Sequence, residues 1–159
     1  MLSKLSVLLC AAVLASASDL PDRKVTPGST VKVPIEVLCE KGYTKSVRHV
    51  SGSVKAAVYR EYGIESHQSG GYEVDHLISL ELGGSNEIEN VWPQPYEGVW
   101  NAHVKDQLED RLHAMVCSGQ IGLKEAQKGI SEDWITEYKK VFNTGGPIAF
   151  RETSRRRRR

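Results

Sequence analysis

The chain has 159 residues, with 21 Lys and Arg against 20 Asp and Glu and a formal net charge of +1. This length supports one hydrophobic core and is small for two. Without Lys4 and the five terminal arginines, fifteen basic residues remain against twenty acidic ones. The bulk charge therefore disfavours tight binding of nucleic acid across a broad basic surface, although it allows weak, non-specific contacts.

Residues 1–17 have the pattern of a secretory signal peptide. Lys4 provides the positive charge, and Leu5 to Leu14 form an apolar stretch too short to span a bilayer. Ala15-Ser16-Ala17 fits the small-residue rule for cleavage. We expect a secreted, extracellular protein that begins near Ser18 and has no membrane contact after cleavage.

The cysteines predict one disulfide. Cleavage of the signal would remove Cys10 and leave Cys39 and Cys117. An even pair of cysteines in an oxidising compartment favours a bridge, whereas a zinc site with two cysteines has too few ligands.

The first part of the predicted mature chain contains few regular elements. Residues 18–36 are polar and rich in proline, which predicts an extended, loosely packed N-terminal arm. Further on, Ser51 or Ser53 can cap a helix that runs to Tyr62 and ends at Gly63.

A two-stranded unit is predicted for residues 72–93. Its turn would lie at Gly83-Gly84, and Pro93 and Pro95 would end it. A helix should follow from about residue 101 to 116, because apolar residues recur at helical spacing. These residues are Leu108, Leu112, Met115 and Val116.

Two further helices complete the predicted α+β fold. The first covers residues 123–130, and the second begins at a Ser131 cap and ends at residues 143–146. The second has an apolar face made of Trp134, Tyr138, Val141 and Phe142.

Four polar residues within this region form a candidate catalytic pattern. Asp75 and His76 are adjacent, Asn90 follows fourteen residues after His76, and His103 lies thirteen residues further on. A carboxylate, an amide oxygen and an imidazole suit a divalent cation, and a neutral histidine beside it can take a proton from water. Each residue alone has an ordinary explanation in a turn or a helix start, but their order and spacing together favour a site.

Three segments carry a family resemblance. Asp75-His-Leu-Ile-Ser-Leu-Glu-Leu-Gly-Gly84, Asn90-Val-Trp-Pro-Gln-Pro95 and Ala102-His-Val-Lys-Asp-Gln-Leu-Glu109 resemble small exported HNH-type (ββα-metal) nuclease-like proteins of bacteria and fungi. Flanking matches extend the resemblance from about residue 37 to 134. It implies a nuclease domain over residues 37–146, with a ββα-metal core at about 72–117, additional helices and one disulfide.

The resemblance also implies roles for individual residues. His76 matches the general base, Asp75 and His103 match metal ligands, and Asn90 matches a residue that either binds the metal or orients the base. One divalent cation is implied, with Mg²⁺ first and Mn²⁺ or Zn²⁺ as alternatives. This chain departs from the common pattern in the long gap between Asn90 and His103, and in lacking the cysteine pairs of a structural zinc site.

The expected function is that of a secreted, monomeric, non-specific endonuclease acting on DNA, with RNA as a second substrate. Lys105 and Arg48 are candidate phosphate contacts, and an inhibitor partner stays open. Residues 147–159 are expected to be a disordered basic tail, either attracting polyanions through Arg155 to Arg159 or simply solvated.

Two alternatives stay open. One is a catalytically inactive secreted binding module with the HNH fold. The other is a polysaccharide hydrolase that uses Glu81 or Glu97, with Trp92 and Trp100 as sugar platforms.

Overall fold

The computed structural model describes residues 18–66 and 69–149. The expected signal peptide and the five terminal arginines lie outside the described residues. Within the described ranges the chain forms five α-helices and a two-stranded antiparallel sheet, so the mixed helix and sheet class is confirmed. No helix in these ranges is long and apolar enough to cross a membrane.

The N-terminal segment is more tightly attached than predicted. Thr26 is fully buried, and its hydroxyl donates to the carbonyl of Val91 at 3.2 Å. The backbone N–H of Gly28 donates to Glu89, and Thr30 forms an isolated bridge with Gly84. The rest of residues 18–36 is exposed or half-buried and has no helix or strand before Ile35, so the segment is extended as predicted, and these few bonds attach it to residues 84–91.

Three short helices precede the sheet: α1 (Ile35–Leu38), α2 (Tyr43–Val47) and α3 (Gly52–Glu61). The Ser51 hydroxyl accepts from the backbone N–H of Val54 at 3.2 Å, which confirms the predicted cap of α3. Gly63 adopts a positive φ of 67° just beyond the helix, as expected for a helix stop.

The sheet consists of β1 (Tyr72–His76) and β2 (Val91–Pro95). Pro95 is the last residue of β2, as predicted, but Pro93 lies inside the strand and does not end it. Backbone hydrogen bonds join residue 96 to residue 71 and residue 77 to residue 90, at the two ends of the ladder. Because hydrogen-bonded and non-hydrogen-bonded pairs alternate between them, residues 93 and 95 lie at non-hydrogen-bonded positions. A proline without N–H is tolerated there.

The connection between the strands is a long loop with two 3-10 turns (Leu80–Leu82 and Ile88–Asn90). The expected Gly-Gly hairpin turn is replaced by a close backbone approach. A Cβ at Gly84 would lie 1.7 Å from the carbonyl oxygen of Ile78, so no larger residue fits.

Two long helices, α4 (Ala102–Cys117) and α5 (Leu123–Phe142), pack on each other and on this loop. Asn101 caps α4, and the predicted apolar stripe is buried at Leu108, Leu112 and Val116. Most members of the core belong to these helices: Val104, Leu108, Leu112, Val116, Ala126, Ile130, Trp134 and Tyr138.

The predicted break between the last two helices falls inside α5. Asp133 has an extended backbone, with φ −163° and ψ 95°. Its carboxylate accepts from the backbone N–H groups of Ile135 and Thr136 at 3.0 Å. Asp133 is therefore the cap of the second half, and Ser131, the predicted cap, instead donates to the carbonyl of Lys128.

The predicted disulfide is confirmed. Cys39, just after α1, bridges Cys117 at the end of α4, and their Cα atoms lie 5.8 Å apart. The bridge is compatible with an extracellular protein.

Candidate functional site

His76 is the last residue of β1 and lies on the same face as Tyr72 and Val74. Its side chain is almost fully buried, and its Nε2 lies 3.1 Å from Oδ1 of Asn86. The same Oδ1 accepts from the backbone N–H of His49, while the amide nitrogen donates to Val47. Because Oδ1 accepts, the neutral imidazole carries its proton on Nε2 and its basic lone pair on Nδ1.

The surroundings of His76 keep it neutral. Burial lowers the pKa of His76 below its usual value, and the nearby charges of Arg48 and Lys105 lower it further. The hydrogen bond to Asn86 and the charge of Asp75 act in the opposite direction. The imidazole is therefore unprotonated at physiological pH, which is the state that a general base requires.

His76 lines a cleft of about 530 Å³ between β1 and the region of α2 and α3. Two cationic side chains, Arg48 and Lys55, one carboxylate, Glu73, and the ring of His49 line the same cleft. Cationic side chains beside a neutral imidazole form an arrangement suited to an anionic substrate such as a phosphate. The aromatic residues of the cleft are Tyr59, Tyr72 and Tyr96.

Asp75 points to the opposite face of the strand, toward α4. Its Oδ2 lies 2.8 Å from Nζ of Lys105, which also bonds to the carbonyl of His76 at 2.6 Å and to the carboxylate of Glu109. Burial alone would lower the pKa of Lys105, but the two carboxylates raise it above its usual range. Lys105 is completely buried, so it cannot be the surface phosphate contact that the sequence suggested.

Asn90 is fully buried and holds the loop between the strands. Its amide nitrogen donates to the carbonyls of Ile78 and Ser85, each at 2.9 Å. Its Oδ1 accepts from the backbone N–H groups of Ile78 at 3.0 Å and Ser29 at 3.3 Å. Both ends of the amide are thereby occupied, so Asn90 supports the shape of the loop and neither binds a metal nor contacts the base in this arrangement.

His103 lies at the start of α4 with its side chain 66% exposed. The centroids of the His103 and Tyr96 rings lie 5.6 Å apart, and Nδ1 of His103 lies 3.9 Å from Oδ2 of Asp106. Partial burial and the negative charges of Asp75 and Glu73 raise the pKa of Asp106 to about 6. Acidic groups therefore lie close to His103, whereas the His76 cleft has two cationic side chains, Arg48 and Lys55, against one carboxylate, Glu73.

The side chains expected to bind a metal do not form a donor set as they are placed. Asp75 is paired with Lys105, the Asn90 amide is saturated by backbone groups, and His103 is exposed beside Asp106. These residues, as they are placed, do not fit the divalent cation that the resemblance implies.

Another group could hold a metal ion. Among the described residues, one set of three His, Cys, Asp or Glu side chains has its ligand atoms within 4.8 Å of one another. It consists of Cys39, His113 and Cys117, but its two cysteines form the disulfide. A thiolate ligand pair would exist there only after reduction.

Sequence reasoning identified His76 and Arg48 but missed Asn86, His49 and Lys55. Asn86 lies in the same motif as His76, and its role depends on how the loop folds back. His49 and Lys55 lie more than twenty residues before His76 and are brought to it by the packing of α3 on the sheet.

No family model matches the chain, and no curated protein or solved structure matches it either. The HNH-type resemblance stays an expectation based on the motifs.

Proposed function

We propose that the protein is a secreted, non-specific nuclease that cleaves phosphodiester bonds of DNA and RNA. The observation that carries this proposal is His76, a buried and neutral imidazole in the wall of a cleft flanked by Arg48 and Lys55. The order of the Asp-His, Asn and His motifs supports the same function.

The chemistry follows from the positions of these groups. A phosphate would bind against Arg48 and Lys55, whose positive charges would also stabilise the additional negative charge of the transition state. Nδ1 of His76 would take the proton of the attacking water, or of a ribose 2′-hydroxyl in RNA. His49 lines the same cleft and is the candidate proton donor to the leaving oxygen.

The resemblance implies a Mg²⁺, Mn²⁺ or Zn²⁺ ion, and the proposed chemistry of the cleft does not use it. Asp75 is paired with Lys105, the amide of Asn90 is fully hydrogen-bonded, and His103 is exposed, so these side chains do not form a ligand set as they are placed. Cleavage assays with and without chelator test that expectation separately from the cleft.

The test compares supercoiled plasmid and single-stranded RNA as substrates for the purified, disulfide-bonded protein. We expect His76→Ala to lose at least about 10²-fold in rate, because it removes the base. His103→Ala is the matched control and should retain activity, since its exposed ring lies outside the cleft.

Equal rates for wild type and His76→Ala would contradict the proposal. Loss of activity in His103→Ala but not in His76→Ala would indicate that the active site lies around His103 and not in the His76 cleft. A folded wild-type protein that cleaves neither substrate would favour the inactive binding module.

A further inference from the structure

The ammonium of Lys105 lies in a closed cage of oxygen atoms. Three oxygens surround Nζ: Asp75 Oδ2 at 2.8 Å, the carbonyl oxygen of His76 at 2.6 Å, and a carboxylate oxygen of Glu109. An ammonium has three protons to donate, and each has one acceptor here. The group is therefore saturated and has no contact with solvent.

The cage has the composition of a hard-cation site. Two carboxylates and one backbone carbonyl are the ligands that Mg²⁺, Mn²⁺ and Ca²⁺ prefer in proteins. They come from a strand and a helix that the fold holds against each other: Asp75 and His76 from β1, and Glu109 from α4. What occupies their centre is the side chain of Lys105, one helical turn before Glu109.

We propose that Lys105 is the resident cation of this site, so that the protein binds no divalent metal at Asp75. An incoming cation would have to displace an ammonium that is covalently tethered at the same place, with three hydrogen bonds already formed. The proposal explains why Asp75 is not available as a metal ligand. It does not depend on whether the cleft at His76 cleaves nucleic acid.

Lys105 links the carboxylate of Asp75 to the carbonyl of His76, and so ties α4 to the end of β1. Through these bonds the ammonium of Lys105 holds the strand that carries His76, from the face opposite the cleft. Lys105 acts there as a positioning residue, not as a group that touches substrate.

The test measures metal uptake directly. Metal-free wild-type protein is titrated with Mn²⁺, and free Mn²⁺ is followed by its EPR signal. We expect no uptake at micromolar concentrations. Lys105→Ala empties the cage and leaves its oxygens in place, so this variant should take up one equivalent of Mn²⁺ and show a rise in Tm when Mn²⁺ is added.

Two control variants locate the uptake. Lys105→Met fills the same space without a charge, so it should bind no Mn²⁺. The double variant Lys105→Ala with Asp75→Asn keeps the space but loses one carboxylate, and its affinity for Mn²⁺ should fall well below that of Lys105→Ala.

Uptake of one equivalent of Mn²⁺ by the wild-type protein at micromolar affinity would overturn the proposal. A folded Lys105→Ala variant that takes up no Mn²⁺ would also overturn it, because the cage would then not be a cation site. If Lys105→Ala does not fold even with Mn²⁺, the wild-type titration alone decides: uptake refutes the proposal and absence of uptake upholds it.

Discussion

Oδ1 of Asn86 lies 3.1 Å from Nε2 of His76 and determines which ring nitrogen of that histidine is basic. Asn86 is itself oriented by two backbone bonds, from the N–H of His49 and to the carbonyl of Val47. Because both ends of its amide are hydrogen-bonded to the backbone, Asn86 presents Oδ1 and not its amide nitrogen to His76. The His76 ring is therefore held with Nδ1 as its basic atom.

Substitutions of Asn86 should shift the pH dependence of cleavage in opposite directions. Cleavage requires neutral His76, so its acid limb follows the pKa of this residue. Asn86→Asp places a negatively charged carboxylate beside Nε2 of His76. The carboxylate should raise the pKa of His76 and move the acid limb to higher pH. Asn86→Ala removes a hydrogen bond that raises the pKa, so the limb should move to lower pH.

The pH–rate profiles of the three proteins check this prediction. The wild-type limb should lie below pH 6.5, the ordinary value for histidine, because burial lowers the pKa of His76. A purely structural role of Asn86 would lower the rate of both variants and leave the limb where it is.

Removing the buried charge of Lys105 should destabilise the fold strongly. Lys105→Met leaves the carboxylates of Asp75 and Glu109 without their cation, which costs about 3–5 kcal/mol for a buried ion pair. Urea unfolding measures this loss. The matched control is Lys128→Met, the same change at a lysine whose side chain is 71% exposed, where an effect within about 0.5 kcal/mol is expected. Equal losses at both positions would contradict the burial of Lys105.

Asp106 should make stability depend on pH. Its pKa rises from 3.8 to about 6 on folding, so the folded state favours the protonated form. The contribution of Asp106 to stability is fully present below pH 3.8 and is lost as the pH rises through about 6. Above that pH, burial and the negative charges of Asp75 and Glu73 disfavour the ionised carboxylate of Asp106. Asp106→Asn should therefore raise Tm well above pH 6 and change it little below pH 3.8.

Thermal unfolding of both proteins across this range provides the measurement. The gain should be modest, since the Asp106 side chain is 59% exposed and solvent screens its charge. A gain of the same size at both ends of the pH range would assign it to helix propensity instead.

The disulfide should contribute substantially to stability. Cys39 and Cys117 are separated by 78 residues, and the chain-entropy model gives about 4.5 kcal/mol for a loop of this length. The double variant Cys39→Ser with Cys117→Ser should lose about this much in urea unfolding. A loss below about 1 kcal/mol would indicate that the reduced, unfolded chain is already restricted.

Features that depend on neighbouring residues were predictable from the sequence. The Ser51 cap, the apolar stripe of α4 and the break before Trp134 follow from patterns a few residues long. The cysteine pairing followed from counting.

Features that depend on tertiary packing were not predictable in this way. Glu109 lies one helical turn from Lys105, but Asp75 lies thirty residues before it, and only packing brings it there. The same holds for the N-terminal segment, whose bonds to the loop join distant residues such as Thr26 and Val91. Pro93 was misleading because its compatibility with a strand depends on the register.

Chemical rescue of a His76→Gly variant by imidazole tests whether the imidazole of His76 acts as the general base. Removal of the side chain leaves a space at the wall of the cleft that a free imidazole molecule can enter. We expect cleavage of RNA and DNA to be lost in the variant and restored by imidazole in a concentration-dependent way, with no such gain for the wild-type protein. A variant that stays fully active, or an inactive and folded one that imidazole does not restore, would contradict a general-base role for His76.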